Sequence, residues 1–543
     1  MKKYARFISG LNSFLSNRLE PPQALELAEG LLRERIRKRE ENFLQITRRG
    51  IFEYPKSPYL KLLESAGISY SDLEKNVENS GIENALEWLQ SEGVYFTVDE
   101  FKGKKPVERN GVSFRCRESS FDNPFLSSAY EVRSGATRSA GTRVRIDFEY
   151  LSQRSLYDAF LLGVHGCLTS PIANWFPLFP GAPGINSSLR FTRMGNPPKR
   201  WFSQVDKARI KVNWEKTWGT GLIFLLSRLH GVSLAKPEYV DLNHAYKIAG
   251  WAASMLEHYP NCVIYTFATS AVRVCMAAQE NGHNIRGLRF LVTGEALTAQ
   301  KRKEIEATGA VVIPVYGISE AGVIAAGCER QCGCVSGSGS DHCHLYKDTT
   351  AVITHKYRVP HFDIMVDSFL FTSLLYESPK LLLNVGMGDY GRVHTEKCKC
   401  GFGKMGFDTH ISNIRSYEKL TGEGVTFVDS DLISIIEKSL PKRFGGDSTD
   451  YQLLEEEDQK GLTRLRLVVS PRLGILDEAS VERFFVDLLK NSENSPESWA
   501  QSGTEMWNQA RMVRVRRDYP VSTASGKVLP FHLVTKSNGS KRG

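Results

Sequence analysis

The segment 288–320 constrains the fold more than any other part of this sequence. Two largely apolar runs, 288–292 and 311–315, have the character of buried strands, and Thr298 between them is a residue type that often begins a helix. A strand, a helix and a second strand in this order predict a crossover between two parallel strands, with the helix covering one face of the sheet. We therefore expect a sheet covered by helices, and the alternation of helical and β-rich runs over 150–330 extends that expectation.

The two strands of this unit end in residues that are suited to a binding site. Gly294 and Glu295 follow the first strand, and Tyr316 and Gly317 lie at the end of the second. The carboxyl ends of parallel strands share one edge of a sheet, and open α/β sheets bind their ligands at that edge. We expect the two pairs to lie side by side at a ligand site.

A chain of 543 residues is too long for one hydrophobic core and is expected to form two or three domains. In its last quarter, a hairpin pattern over 450–470 is followed by an amphipathic helix at about 478–490. We predict an α/β fold, with a large N-terminal α/β domain that begins with a helical lead-in, followed by a small mobile α+β C-terminal domain. The predicted bounds are 1–415 for the large domain, 1–110 for its mostly helical lead-in and 416–543 for the small domain.

Composition and charge exclude several classes of protein. Apolar residues make up 41% and charged residues 24%, as in ordinary globular proteins, and no apolar run is long enough to span a membrane. The net charge of +9 is spread over amphipathic segments without interleaved aromatic residues, so we expect no nucleic-acid partner. The N-terminus lacks the continuous apolar core of a signal peptide, which predicts a cytoplasmic protein.

The ten cysteines fall into two groups. Cys116, Cys167, Cys262 and Cys275 are isolated in apolar surroundings and are expected to be buried thiols. The other six lie within 328–400, and His342 and His344 lie among them; in a cytoplasmic chain such a cluster favours a metal site over disulfides.

Four short segments carry chemistry that belongs together. A Ser/Thr/Gly-rich loop over 133–143 can donate hydrogen bonds to phosphate oxygens, and 316–320 places an aromatic ring and a carboxylate beside a strand end. The segment 388–391, Gly-Asp-Tyr-Gly, is predicted to hold an aspartate in a tight turn. The Ser-Gly-Lys turn at 525–527 places a lysine at the tip of the small domain, where an ammonium group can neutralise two negatively charged reactants.

The order of these segments resembles the adenylate-forming superfamily of acyl-CoA synthetases, peptide-synthetase adenylation domains and luciferases. Its phenylacetate-CoA ligase-like branch is the most similar, with a comparable helical lead-in at 57–68 and a Cys-x-Cys-Gly element at 398–401. The resemblance implies a ligase that uses ATP and Mg²⁺ to convert a carboxylic acid into an acyl-AMP and pyrophosphate, and then passes the acyl group to a thiol. CoA is the implied acceptor, and the small domain would turn about a hinge near 417–419 between the two steps.

The resemblance also assigns roles to individual residues. Lys527 would stabilise the acyl carboxylate and the α-phosphate as they approach each other, Glu320 would bind Mg²⁺, and Asp389 would accept hydrogen bonds from the ribose hydroxyls. The other implied ATP-binding residues belong to the Ser/Thr/Gly-rich loop and to the two strand ends: Ser134, Gly135, Thr137, Ser139, Gly294, Glu295, Ala296, Tyr316 and Gly317.

Within the cysteine and histidine cluster, the resemblance implies a structural zinc site of the Cys₃His type, which has no open coordination position. Matched by position, its ligands would be Cys328, His344, Cys398 and Cys400. Cys332 and Cys334 remain alternative ligands, because the Gly/Ser-rich loop that carries them allows several registers.

The resemblance places the acid-binding pocket near 164–176, 265–270 and 293–297. The aromatic residues of these segments are Trp175, Phe176, Tyr265 and Phe267. They favour an aryl or fatty acid as the substrate, although aromatic residues are equally typical of a plain hydrophobic core.

Three other functions stay open at this stage. The acyl group could pass to a carrier protein, a protein cysteine or an amine, as in acyl-protein synthetases. The chain could instead be a catalytically inactive adenylate-binding scaffold, because Arg138, Ala140 and Gly141 replace the second glycine, the proline and the lysine of the family's phosphate loop. A zinc-dependent nucleic-acid binder is the third.

Overall fold

A computed structural model describes residues 2–126, 130–133, 143–178, 183–206, 214–328, 339–359, 365–417, 419–422, 425–428, 434–490, 505–510, 512–521 and 531–533. Its α-helices are α1 (Lys2–Ser16), α2 (Pro21–Arg37), α3 (Arg39–Thr47), α4 (Leu60–Ser65), α5 (Tyr70–Ser91), α6 (Val98–Phe101), α7 (Phe148–Val164), α8 (Pro183–Arg193), α9 (Trp214–Leu229), α10 (Tyr246–Leu256), α11 (Ala268–Glu280), α12 (Ala299–Glu306), α13 (Gly401–Met405), α14 (Leu440–Phe444) and α15 (Glu478–Lys490). Among the residues described, no helix combines the length and the apolar character needed to cross a membrane.

The strands are β1 (Val107–Arg109), β2 (Val112–Phe114), β3 (Tyr130–Arg133), β4 (Arg143–Ile146), β5 (Ile172–Trp175), β6 (Arg200–Ser203), β7 (Pro237–Tyr239), β8 (Cys262–Phe267), β9 (Leu288–Thr293), β10 (Val311–Ile318), β11 (Gly322–Gly327), β12 (Cys343–Leu345), β13 (Thr350–Arg358), β14 (Met365–Ser373), β15 (Val385–Thr395), β16 (Thr409–Ser416), β17 (Lys419–Gly422), β18 (Val425–Val428), β19 (Tyr451–Glu457), β20 (Thr463–Val469), β21 (Val513–Arg517) and β22 (Phe531–Leu533).

One large sheet joins twelve of the described strands in the order β13-β14-β15-β16-β12-β11-β10-β9-β8-β5-β6-β7. The half from β7 to β10 is parallel, and the half from β10 to β13 is antiparallel. Strand β10 belongs to both halves, because it pairs with β9 through Pro314 and with β11 from Val315 onward. The carboxyl end of the parallel half therefore lies beside the antiparallel half.

The crossover predicted at 288–320 is confirmed. Strands β9 and β10 are parallel and α12 connects them. The Thr298 side chain caps α12 by accepting a hydrogen bond from the backbone N–H of Lys301. Ile305 of α12 is fully buried in the core that α11 and strands β8 to β10 share, so an apolar face holds the helix against the sheet.

Helices of the lead-in pack against the antiparallel half of the sheet. Leu73 and Leu86 of α5 share one hydrophobic core with Phe369 and Phe371 of β14. All four side chains are fully buried. The lead-in therefore supports the strands that stand next to β15.

The C-terminal part forms a separate sheet of four described strands in the order β21-β20-β19-β22. Strands β19 and β20 are the antiparallel hairpin expected over 450–470, and α15 is the predicted helix, with Val481 and Phe485 buried. The predicted fold class is confirmed: a large α/β unit with a helical lead-in is followed by a small α+β unit.

The small domain contacts the large one at the N-terminus of α12. Gln300 Nε2 donates a hydrogen bond of 2.7 Å to the carbonyl of Gln459, and Lys301 Nζ donates one of 3.2 Å to the hydroxyl of Thr463. Gly461, in the hairpin turn, has a φ of 81°, and a Cβ there would lie 2.9 Å from the Lys301 backbone nitrogen. Glycine thus allows both the turn and the close approach of the two backbones.

Candidate active site

Tyr316, Glu320 and Asp389 meet where the sheet changes from parallel to antiparallel pairing. The Tyr316 hydroxyl donates a hydrogen bond of 2.8 Å to Asp389 Oδ2. Glu320, in the turn after β10, and Asp389, in β15, are only 8% and 7% exposed. Burial, and then the nearby carboxylates of Asp389 and Glu320, raise the pKa of Tyr316 well above its usual value. The phenol therefore stays protonated and remains a donor to Asp389.

Asp389 does not lie in the tight turn that the sequence predicts, because the segment 388–391 is part of the long strand β15. Gly388 has a φ of 86°, and the pairing of β15 with β16 shifts register between Tyr390 and Arg392. These features mark a β-bulge, which changes the direction of side chains without ending the strand. A glycine-rich bulge and a glycine-rich turn have the same sequence signature.

A buried carboxylate holds the segment that follows β9. Gly294 has a φ of 78°, which lets the chain turn after the strand. Glu295 Oε2 accepts hydrogen bonds from the backbone N–H of Thr269 at 3.0 Å and from its hydroxyl at 2.5 Å. Lys301 Nζ lies 3.5 Å from the same oxygen, and the Glu295 side chain is 1% exposed. The Glu295 carboxylate is thus bound inside the protein and holds this segment in place. A ligand at this edge of the sheet would contact the backbone of 294–296 and not the Glu295 side chain.

The partners of Glu295 were missed by the sequence analysis. Lys301 is buried, and its Nζ also donates to the carbonyl of Ala296 at 3.4 Å. Thr269 stands in the first turn of α11, where backbone N–H groups lack partners within the helix. A carboxylate that follows a neighbouring strand is a natural acceptor for those groups, and this is the signal that could have identified the pair.

The structure brings together only part of the predicted site. Gly317 lies in β10 next to Tyr316, and the segment 294–296 follows the adjacent strand β9. The predicted residues that lie outside the described part of the chain are Ser134, Gly135, Thr137, Ser139 and Lys527, together with the alternative metal ligands Cys332 and Cys334.

Glu455 of β19 brings a carboxyl group of the small domain to the charges around Lys301. Burial raises the pKa of Glu455 to about 7. The Lys301 ammonium opposes this rise, the Glu295 carboxylate adds to it, and Arg415 and Glu457 contribute less. Glu455 is therefore protonated in the folded chain at pH values where it would be ionised in the unfolded chain.

This difference predicts a pH dependence of stability. The folded chain holds a proton that the unfolded chain loses above pH 4.5, so Glu455 makes the fold less stable as the pH rises from about 4.5 to about 7. We expect Glu455→Gln to remove this loss, which is about 3 kcal/mol for a shift of this size. Denaturant unfolding followed between pH 4.5 and 8 measures it. Glu478→Gln, at an exposed position of the same domain, is the control and should keep the wild-type pH dependence. If the free energy of unfolding of Glu455→Gln falls with pH as steeply as that of wild type, Glu455 is not the group responsible.

The ligand atoms of Cys328, His344, Cys398 and Cys400 all lie within 4.8 Å of one another. Cys328 Sγ is 3.6 Å from Cys398 Sγ, and Cys400 Sγ is 3.2 Å from His344 Nε2. In a tetrahedral site with Zn–S bonds of about 2.3 Å, neighbouring sulfurs are roughly 3.7 Å apart. These separations and the donor set fit zinc.

The surroundings of these four residues also suit metal binding. His344 Nδ1 donates a hydrogen bond of 2.7 Å to the carbonyl of Phe407, so the lone pair of Nε2 faces Cys400. The backbone N–H of Gly403 points to Cys400 Sγ at 3.5 Å, and that of Cys400 points to Cys398 Sγ at 3.4 Å. Amide donors of this kind stabilise thiolates.

The isolated cysteines behave as the sequence predicts. Cys116, Cys167, Cys262 and Cys275 are all buried and none forms a disulfide. Burial raises the pKa of Cys262 to about 12, and it does the same for Cys167 and Cys275, so these thiols stay protonated.

No protein family and no curated protein matches this sequence. Among solved structures, the chain is similar to 2-hydroxyisobutyryl-CoA ligase in complex with 2-HIB-AMP and CoA in the thioesterification state. The TM-score is 0.51 and the sequence identity 13%, over 92% of this chain and 90% of that one. An open conformation of the same ligase gives a TM-score of 0.43 at 14% identity, over 91% of each chain. An o-succinylbenzoate CoA synthetase from Bacillus subtilis gives 0.38 at 12% identity, over 74% of this chain and 69% of that one.

The first of these comparisons concerns nearly the whole of both chains. At 13% sequence identity, this similarity is evidence for a shared architecture and not for a shared reaction. The chain has the fold of 2-hydroxyisobutyryl-CoA ligase, with a large α/β domain followed by a small one.

Proposed function

We propose that this chain is an adenylate-forming ligase that uses ATP and Mg²⁺ to convert a carboxylic acid into an acyl-AMP and pyrophosphate. The observation that carries the proposal is the meeting of Tyr316, Glu320 and Asp389 beside the segment 294–296, at the carboxyl end of the parallel strands. Asp389 lies 69 residues beyond Glu320 in the sequence. The superfamily resemblance assigns Asp389, Tyr316 and the segment 294–296 to the nucleotide and Glu320 to Mg²⁺. The solved ligase with the same fold carries an acyl adenylate and CoA.

In the proposed reaction, a carboxylate oxygen of the acid attacks the α-phosphorus of ATP, and the bond to the β-phosphate oxygen breaks to release pyrophosphate. Asp389, oriented by the Tyr316 hydroxyl, accepts hydrogen bonds from the ribose hydroxyls. Glu320 would supply a hard oxygen ligand to Mg²⁺, and the ion would neutralise charge on the phosphates.

The remaining parts of the proposed site come from the two segments that resemble the family's phosphate loop and lysine turn. Ser134, Thr137 and Ser139, with Gly135, would donate hydrogen bonds to the β- and γ-phosphates. Lys527 would neutralise the carboxylate and the α-phosphate as they approach. The division of the chain at about residue 415, with a hinge at 417–419 and a moving small domain, belongs to the same proposal.

For the second step we propose transfer of the acyl group to a thiol, with CoA as the leading acceptor and a phenylacetate-CoA ligase-like enzyme as the leading type. Transfer to a carrier protein, a protein cysteine or an amine is the alternative. Thioester formation from purified chain, acid, ATP and CoA alone supports CoA. A requirement for a partner protein before any thioester forms supports the alternative.

For the acid we propose an aryl or fatty acid. Phe176 packs edge-to-face with Tyr265 and with Phe267, at centroid distances of 4.9 and 5.0 Å, and Trp175 beside it is fully buried. This aromatic cluster stands at the carboxyl ends of β5 and β8, next to the segment that follows β9. A panel in which only small polar acids release pyrophosphate would contradict the assignment.

For the cysteine and histidine cluster we propose a structural Zn²⁺ held by Cys328, His344, Cys398 and Cys400. All four ligands are provided by the protein, which leaves no position for substrate. The ion would connect the end of β11 to the loop that follows β15, the strand of Asp389.

The role of Glu320 predicts a change in the Mg²⁺ requirement. Glu320→Gln replaces a charged oxygen ligand by a neutral amide, and we expect the Mg²⁺ concentration for half-maximal pyrophosphate release to rise at least about tenfold, equivalent to about 1.4 kcal/mol. Glu280→Gln, at an exposed position near the end of α11, is the matched control and should leave the Mg²⁺ requirement unchanged. Equal Mg²⁺ curves for Glu320→Gln and wild type would refute this role.

A further inference from the structure

A row of histidines crosses the antiparallel half of the large sheet next to the Cys₃His cluster. In the pairing register, His410 of β16 stands opposite His394 of β15 on one side and opposite His344 of β12 on the other. His342 precedes His344 by two residues, so it joins the same face of the sheet. His344 belongs to the Cys₃His cluster, and the other three histidines have no role in the proposed reaction.

Two of these three histidines carry buried ring nitrogens that have no hydrogen-bond partner. His410 Nε2 lies 3.0 Å from the carbonyl of Glu396, so it carries the proton, and the buried lone pair of Nδ1 is left without a donor. His342 Nε2 is buried and also lacks a partner. His342 and His410 are 8% and 0% exposed as whole residues. A buried polar atom without a partner costs free energy, which binding of a cation to those lone pairs would recover.

The ligand nitrogens of His342, His394 and His410 all lie within 4.8 Å of one another. The rings are nearly parallel, with His410 inclined by 9° to His342 and by 17° to His394. A shared ion needs lone pairs that converge, so the rings must turn about the Cβ–Cγ bond, a torsion with broad preferences in histidine. Glu396 Oε2 lies 3.9 Å from His394 Nε2 and can serve as a fourth ligand from the exposed side.

We propose that His342, His394 and His410 form a second metal site, distinct from the Cys₃His cluster, for a divalent transition metal such as Zn²⁺. Three neutral imidazoles are ligands that Zn²⁺, Cu²⁺ and Ni²⁺ accept, whereas Mg²⁺ prefers oxygen. The site has no thiolate, so its affinity is lower than that of the Cys₃His cluster. His394 stands on the same strand as Asp389, and a bound ion would tie β15 to β16 and to the start of β12.

The test is a count of bound metal in the purified full chain. After equilibration with Zn²⁺ and removal of unbound ion, elemental analysis should find two Zn²⁺ per wild-type chain. His394→Ala should retain one Zn²⁺, and its affinity for the second should fall at least about 100-fold. Loss of a group that only orients a ligand lowers metal affinity by up to about 100-fold, and loss of the ligand itself should lower it no less. The His394 side chain is 36% exposed, so its replacement should leave the fold intact, which circular dichroism verifies. His394→Gln is a second variant that also removes the imidazole. Arg392→Ala, exposed on the same strand, should still bind two.

Replacement of Zn²⁺ by Co²⁺ assigns each ion to its ligands. In His394→Ala the thiolate-to-cobalt charge-transfer absorption should persist, because the Cys₃His cluster is intact. In Cys400→Ser that absorption should disappear while one Co²⁺ bound by nitrogen ligands remains. One Zn²⁺ per wild-type chain that His394→Ala retains, an unchanged count of two in His394→Ala, or loss of both ions in a folded His394→Ala chain would each overturn a separate histidine site.

Discussion

Replacement of Lys527 by alanine is expected to slow acyl-AMP formation by about 10²–10³-fold, the usual cost of one group aimed at charge in a transition state. The attacking carboxylate and the α-phosphate are both negatively charged, so the first step needs a cation between them. Acid-dependent pyrophosphate release measures the step. Lys536→Ala, nine residues further along the same C-terminal segment, is the control for loss of one positive charge and should retain wild-type activity.

The same variant separates the two steps of the proposed reaction. Lys527→Ala should still form thioester from acyl-AMP that is supplied ready-made, because the lysine acts on the adenylation step and withdraws before the thiol arrives. An unchanged rate of pyrophosphate release would contradict the role of Lys527. An equal loss in both steps would point to misfolding of the small domain and not to chemistry.

Removal of the proposed structural zinc is expected to have the largest effect on stability. Cys400→Ser removes one thiolate and two of the short contacts described above, to His344 and to the amide of Gly403. If free Zn²⁺ exceeds its dissociation constant by 1,000-fold, the bound ion contributes about 4 kcal/mol to the free energy of unfolding, and the variant should lose that amount. Denaturant unfolding with and without a chelator measures the difference.

The matched control is Cys167→Ala, at an isolated buried thiol. It should be destabilised by its lost packing alone, keep its bound zinc and remain sensitive to the chelator. In Cys400→Ser the thiolate site should already be empty, so a chelator should not lower the free energy of unfolding by removing zinc from that site. If Cys400→Ser binds zinc through thiolates as wild type does, Cys400 is not a ligand and the alternatives Cys332 and Cys334 gain weight.

The parts of the fold that local patterns determine could be predicted from the sequence. The crossover at 288–320 is one case, because its two apolar runs and the capping Thr298 are signals within a few residues. The hairpin over 450–470 and the helix at 478–490 are others, since alternation and helical periodicity are also local.

The features that the sequence did not reveal depend on pairing between distant segments. The bulge at Asp389 exists because β15 pairs with β16 in a shifted register, and Gly-Asp-Tyr-Gly alone is equally consistent with a turn. The Glu295 carboxylate is satisfied by Thr269 and Lys301, which reach it from two different helices. The histidine row appears only when β12, β15 and β16 are aligned, because His342, His394 and His410 are otherwise up to 68 residues apart.

The measurement that tests the central claim most directly is acid-dependent pyrophosphate release from Mg-ATP by the purified chain, across a panel of aryl, fatty and small polar acids. The proposed function predicts release with aryl or fatty acids, no release without acid, and an acyl-AMP in amounts equal to the pyrophosphate when no acceptor is present. ATP that binds without any acid-dependent release across the whole panel would contradict the claim. The chain would then be an adenylate-binding scaffold that has the fold of a CoA ligase without its chemistry.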